Sequence, residues 1–217
     1  ARVYEHVRLS RDLNPTEVHT SISQKDPAWE LSAIAIDQPG LFASICGVLS
    51  YFGMDILRGQ AMTNEHGVVL DIFQFGDRED YLRLNTVAEK ELTTLLADVV
   101  AGRVDIDVKL LGRHQAQLAT REYEHFKPMV RFNNHYSRRF TVLEIVTNNA
   151  WGLLYRISRI LSTSGCDIDL VLISTEGARA VDVFHITQAG NKLSDGVQAQ
   201  LETELTMTLE GTVTGAS

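Results

Sequence analysis

The sequence has 217 residues, 44% hydrophobic and 22% charged, with four prolines and a formal net charge of −8 at pH 7. That length accommodates one ordinary domain or two small ones, and the composition is that of a chain that folds. The negative balance opposes non-specific attachment to DNA or to an anionic membrane surface. Apolar stretches such as 33–36 and 170–173 fall far short of the roughly 20 residues that span a bilayer, and no charged-then-apolar leader opens the chain, so a cytoplasmic location is expected.

Residues 1–28 read as an N-terminal arm or the tail of a preceding domain, with a short helix over 2–9 that stops before Asn14-Pro15. The chain opens on Ala1, as expected of a processed chain or a piece of a longer one. Next, 31–36 is a short apolar run with a turn signal after it, hence a buried strand. Leu41, Ile45, Val48, Leu49 and Phe52 mark one face of an amphipathic helix ended by Gly53. Strands are expected over 55–62 and 68–75, joined by the hairpin-length connection 64–67. Leu84, Ala88, Leu92, Leu95, Leu96 and Val99 define a second helical face closed by Gly102, and 105–111 alternates as a fourth strand.

The connector 112–139 is locally basic: Arg113, Arg121, Lys127, Arg131, Arg138 and Arg139 are interleaved with Tyr123, Phe126, Phe132 and Tyr136. Cations beside aromatic platforms suit stacked bases or an acidic partner, and they equally suit a linker packed over a domain seam. With the acidic overall balance, the linker reading is preferred and no nucleic-acid partner is expected. Beyond it come a strand at 142–146, a helix on Leu153, Ile157, Ile160 and Leu161, strands at 167–174 and 180–187, a short helix on Val197, Leu201 and Leu205, and a last strand at 206–213.

These two halves are a repeat. One constant spacing places Gly152 over Gly40, Gly165 over Gly53, Asp167 over Asp55, Ile168 over Ile56 and Thr175 over Thr63. After a one-residue deletion in the following turn, Asp182-Val-Phe184 lies over Asp71-Ile-Phe73. The expected fold is α+β: two ferredoxin-like βαββαβ units in tandem, 29–111 and 140–217, each an antiparallel sheet with helices on one face. The uncovered face or edge must then be solvated or paired with a partner.

Chemistry-bearing patterns are few. Cys46 and Cys166 lack zinc or CxxC spacing and read as buried free thiols. His6, His19, His66, His114, His125, His135 and His185 are scattered without HxH or HExxH spacing, and no Gly-x-Ser-x-Gly, P-loop or GxGxxG occurs. No catalytic residue, metal site or cofactor is therefore expected. The loop Asp37-Gln38-Pro39-Gly40 before Leu41 does stand out, because it joins a buried strand to a helix start. Unpaired N–H groups there suit a carboxylate, Gly40 lets a ligand approach the backbone, and Asp37 suits an ammonium. The alternative is that Asp37 caps the helix and Pro39-Gly40 merely turns the chain.

The run Asp37-Gln-Pro-Gly-Leu-Phe42, then Gly53-Met-Asp-Ile56, then Asp71-Ile-Phe73 resembles an ACT domain. Gly152-Leu-Leu-Tyr155, Gly165-Cys-Asp-Ile168 and Ala180-Val-Asp-Val-Phe184 resemble a second. More narrowly, 130–134 with Ser137, 141–145 and the 175–184 run resemble the C-terminal tandem ACT region of bacterial PII uridylyltransferase/uridylyl-removing enzymes. The resemblance implies a regulatory module that senses an amino acid, glutamine in that family, and controls a nitrogen-metabolism enzyme. The family's nucleotidyltransferase and His-Asp hydrolase signatures are not present in this sequence, and Asp167-Ile-Asp169 reads as a strand start rather than a metal-binding Asp-x-Asp.

The resemblance further implies side-by-side pairing of ACT units, within or between chains, with a homodimer as one form. Met54, Asp55 and Ile56 would then face the loop of a neighbouring unit, although the same residues also suit a core. The second repeat has Asn149 and Trp151 where the first has Asp37 and Pro39, ahead of Gly152 and Leu153. An amide does not neutralise an ammonium, so ligand binding is not expected at that loop, and Trp151 is expected to fill the pocket or to pack between the units. A ligand-free oligomerisation or protein-interaction module is the alternative function.

Overall fold

The computed structural model describes residues 13–117, 127–176 and 178–211. The helix expected over 2–9 and the middle of the basic connector lie outside them. In the first half, β1 (Val18–Lys25) and β2 (Ala28–Ile36) form a hairpin, followed by α1 (Leu41–Tyr51), β3 (Asp55–Thr63), β4 (Val68–Gly76), a single-turn α2 (Tyr81–Leu84), α3 (Ala88–Val100) and α4 (Ile106–Gln117). The second half has β5 (Met129–Asn133), β6 (Thr141–Asn148), α5 (Leu153–Thr163), β7 (Cys166–Glu176), β8 (Arg179–Gln188) and α6 (Asp195–Gly211). Two antiparallel four-stranded sheets result, ordered β1-β2-β4-β3 and β5-β6-β8-β7.

This is the expected tandem ferredoxin-like arrangement, with a different source for the outer strand. The strand expected over 105–111 is helical: the Asp105 carboxylate accepts the Asp107 N–H at 2.8 Å, an N-terminal helix cap, and Ile106 and Leu110 bury one face. Likewise the strand expected over 206–213 is the end of α6 through 211, where Leu201, Leu205 and Leu209 recur every fourth residue and are buried. The place beside β2 is taken instead by β1, from within the expected arm, and the place beside β6 by β5, from within the expected connector. Each unit therefore runs ββαββα along the chain.

Period-two alternation puts Leu31, Ala33 and Ala35 of β2 and Phe73 and Phe75 of β4 under the helices; Leu143, Ile145, Phe184 and Ile186 do the same in the second sheet. The edge strands β3 and β7 meet along the seam between the sheets, and above them α1 packs against α5. Helices α1 and α5 approach closely at Gly47, where a Cβ would stand 2.9 Å from Ile106 Cγ1 and 3.0 Å from the Tyr155 ring. Helix α4 lies across both: the Tyr155 hydroxyl donates to Asp107, Arg159 Nη2 donates to Asp107 Oδ2 at 2.9 Å, and the Arg113 guanidinium sits 4.6 Å from the Tyr51 ring centroid.

A candidate ligand site on the seam between the repeats

The pseudo-symmetric packing gives the molecule two seams, each formed by the strand-to-helix loop of one repeat facing the helix end and following strand of the other. Their backbones match. Asp37 N–H donates to the Gly67 carbonyl at 2.7 Å, and Asn149 N–H donates to the Ala178 carbonyl at 2.7 Å. Leu41 N–H reaches Gln38 O and Leu153 N–H reaches Ala150 O, both at 3.1 Å. Gly40 and Gly152 each take a left-handed conformation, φ 80 and 67, at the N-cap, so both helices begin on a residue without a side chain.

At the first seam the loop borders a cavity of about 240 Å³ lined by Asp37, Gln38, Pro39, Gly40, Leu41, Phe42 and Ala43 on one side. The other side is Ser158 and Ser162 of α5 with Cys166, Asp167 and Ile168 at the start of β7. This volume lies below the roughly 300–1,000 Å³ that holds drug-sized ligands, so the site suits a small metabolite. Helix α1 has no side-chain cap, so the Asp37 carboxylate is not used in capping it. The first-turn N–H groups of Phe42 and Ala43 have no intrahelical acceptor. Gln38 turns its side chain to the end of α3, donating from Nε2 to the Val100 carbonyl at 3.3 Å.

The electrostatics of this cavity are acidic. Burial, then the nearby carboxylates of Asp167 and Asp169, raise the pKa of Asp37, with a partial offset from the Gln38 backbone. Among the described residues no basic side chain lines the cavity. Ser158 is 0% exposed, and its hydroxyl oxygen has no hydrogen-bond partner of ordinary geometry. No group of three or more His, Cys, Asp or Glu among the described residues is placed to hold a metal ion.

The second seam is filled. The Trp151 indole N–H donates at 2.9 Å to the carbonyl of Ser50, which also accepts the Gly53 N–H at 2.9 Å. Asn149 Nδ2 donates to Asp55 Oδ1 at 3.3 Å, and Arg78 forms an ion pair with the same carboxylate. Thus the residue over Asp167 is neutralised here, and the carbonyl over that of Ser162 is used twice. Met54 is buried, Ile56 is packed against the core, and Leu153 is buried. Of the expected ligand-binding residues, only Asp37, Gln38, Pro39, Gly40 and Leu41 line the first cavity; Met54, Asp55, Ile56, Asn149, Trp151, Gly152 and Leu153 do not. The wall of Ser158, Ser162, Cys166, Asp167 and Ile168 was missed in the sequence. The repeat spacing was its signal, since it lays Cys166-Asp-Ile168 over Met54-Asp-Ile56.

Curated proteins resemble the chain over most of its length. A bifunctional uridylyltransferase/uridylyl-removing enzyme of Gluconobacter oxydans (strain 621H) is 32% identical over 200 residues, 89% of this chain and 21% of the enzyme. That of Burkholderia orbicola (strain MC0-3) is 31% identical over 207 residues, 94% of this chain and 23% of the enzyme. The chain is homologous to one segment of these enzymes. It spans about a fifth of the length of these relatives, as it does for the Azospirillum brasilense enzyme, 29% identical over 81% of this chain and 19% of the enzyme. No protein-family model matches the chain. Among solved structures, an aspartate kinase from Synechocystis aligns with a TM-score of 0.41 and 13% identity, covering 86% of this chain and 28% of that one. No helix among the described residues is long and apolar enough to cross a membrane.

Proposed function

We propose that this chain is an amino-acid-sensing regulatory module acting on a nitrogen-metabolism enzyme or partner, and that its ligand, glutamine by the family resemblance, binds at the first seam. The observation that carries this reading is the composition of the cavity wall: one repeat supplies Asp37 and an uncapped helix start, and the other supplies Ser158, Ser162 and Asp167. An α-amino acid presents an ammonium and a carboxylate a short distance apart. The ammonium is placed between the Asp37 and Asp167 carboxylates, and the carboxylate on the N–H groups of Phe42 and Ala43. Because the two walls belong to different repeats, a ligand stabilises their juxtaposition, and that differential contact is what a regulatory equilibrium requires.

Thermal unfolding across the twenty amino acids tests this. A ligand at about 100 times its Kd adds roughly 2.7 kcal/mol, several degrees at this size. The expected result is a shift with glutamine that disappears in Asp37→Ala. A flat panel moves the reading to a ligand-free interaction module, which the uncovered sheet face favours: Met62, Leu172 and Val181 point away from the helices and are 42%, 47% and 39% exposed.

A further inference from the structure

Arg156 occupies the second repeat at the position Ser44 holds in the first, in the opening turn of α5. Its Nη1 donates to the Trp151 carbonyl at 2.8 Å, which folds the guanidinium back over the start of its own helix. Its Nε and Nη2 are closed to solvent and have no hydrogen-bond partner. Among the described residues no carboxylate forms an ion pair with it, and burial draws its pKa down to about 10, so the group stays charged at neutral pH. A cation at a helix N-terminus opposes the helix dipole, and Arg156, partly buried with its Nε and Nη2 closed to solvent, lacks the counter-charge that would offset this. The same turn leaves the N–H groups of Leu154 and Tyr155 without an intrahelical acceptor, since Leu153 N–H is taken by Ala150 O and Arg156 N–H by Gly152 O.

Unpaired donors thus gather at the start of α5 with no acceptor to meet them. The acceptors of the second seam are engaged elsewhere: Asp55 by Asn149 and Arg78, and the Ser50 carbonyl by Gly53 and Trp151. An amino acid would find no free partner there for its ammonium. We infer that the second seam is an oxyanion site, in which Arg156 and the first-turn N–H groups of α5 bind a carboxylate or phosphate group. The guanidinium offers its Nε and Nη2 edge, the pair that meets two oxygens of one oxyanion. Arg156 holds the backbone carbonyl of the residue whose indole is bonded to Ser50, so an anion that draws the guanidinium away couples occupancy of the second seam to the end of α1.

The test uses the whole chain without any amino acid present, so its failure leaves the first-seam reading standing. Thermal unfolding is followed at pH 7.5 and matched ionic strength in sodium chloride, acetate and phosphate, for the wild type, Arg156→Met and Arg156→Lys. The expected result is a saturable rise in Tm of about 5 degrees with phosphate or acetate over chloride, with a change in Trp151 emission in a Trp29→Phe background. A response to phosphate alone or to acetate alone identifies which oxyanion the site takes. Arg156→Met abolishes the response and melts above the wild type in chloride. If Arg156→Met does not fold, Arg156→Lys still shifts the midpoint to at least tenfold higher anion concentration. Equal behaviour in all three salts, or an undiminished response in both variants, overturns the inference.

Discussion

The first seam holds a cavity with three carboxylates near it and no cation in its lining, while the second holds a tryptophan and a guanidinium over the same backbone skeleton. The anchoring hydrogen bonds, the left-handed glycine and the helix start are common to both. The difference is confined to side chains: Asp37 against Asn149, Pro39 against Trp151, Ser44 against Arg156. Repetition therefore supplied two equal frames, and three substitutions gave them opposite charge and different accessibility. If the two seams take the unlike ligands proposed for them, each reports on the other through α1 and α5, which both seams share.

The largest expected effect concerns a feature the two repeats still have in common. Asp71 and Asp182 lie at equivalent positions, each 1% exposed, with Asp71 Oδ1 and Oδ2 and Asp182 Oδ1 unpartnered. Burial pushes the pKa of Asp182 up to about 7, and burial followed by the Asp37 charge pushes Asp71 well above the ordinary carboxylate range. Below about pH 3 both carboxyls are mostly protonated in folded and unfolded chains alike. As pH rises the unfolded carboxyl loses its proton first, so the folded state binds more protons and stability falls until Asp182 ionises near pH 7. Asp182→Asn is expected to stabilise the chain by about 1 to 4 kcal/mol at pH 7.5 and by much less at pH 4, read by denaturant unfolding at both. A gain independent of pH would separate this acid pair from the behaviour of the seams.

Smaller effects follow at the seams themselves. Trp151→Ala removes a half-buried indole and its bond to Ser50 and should lower stability by about 2 kcal/mol. The same change releases the backbone of residue 151, whose carbonyl Arg156 holds, and should strengthen any anion response, whereas a tryptophan that only fills space would leave that response unchanged. Asp107 and Arg159 are both well exposed, 41% and 47% at the side chain, so Arg159→Ala should cost under about 1 kcal/mol and less at high salt. A much larger loss would mean that α4 locks the repeats together rather than resting on them.

The sequence made the helices and inner strands legible because their apolar residues recur at one clear period: Leu41, Ile45, Val48 and Leu49 in α1, and Leu31 and Ala33 in β2. The outer strands were misplaced because 105–111 satisfies two periods at once. Its polar and apolar residues alternate, yet Ile106 and Leu110 also fall one helical turn apart behind Asp105, a capping residue. The true outer strands, Val18–Lys25 and Met129–Asn133, are only partly buried, so their pattern is weak. At the site, the loop 37–40 was legible from residue types alone. Its opposite wall was not, because which loop faces which strand depends on how the repeats pack, and no residue pattern marks Arg156, whose Nε and Nη2 lack acceptors only in the folded arrangement.

The central claim is that the two seams are functionally unlike, and calorimetric titration of the full chain with glutamine measures it most directly. One molecule bound per chain, lost in Asp37→Ala and weakened as pH falls through the raised pKa of Asp37, is the predicted result. Two molecules per chain, none, or binding indifferent to Asp37→Ala would contradict it.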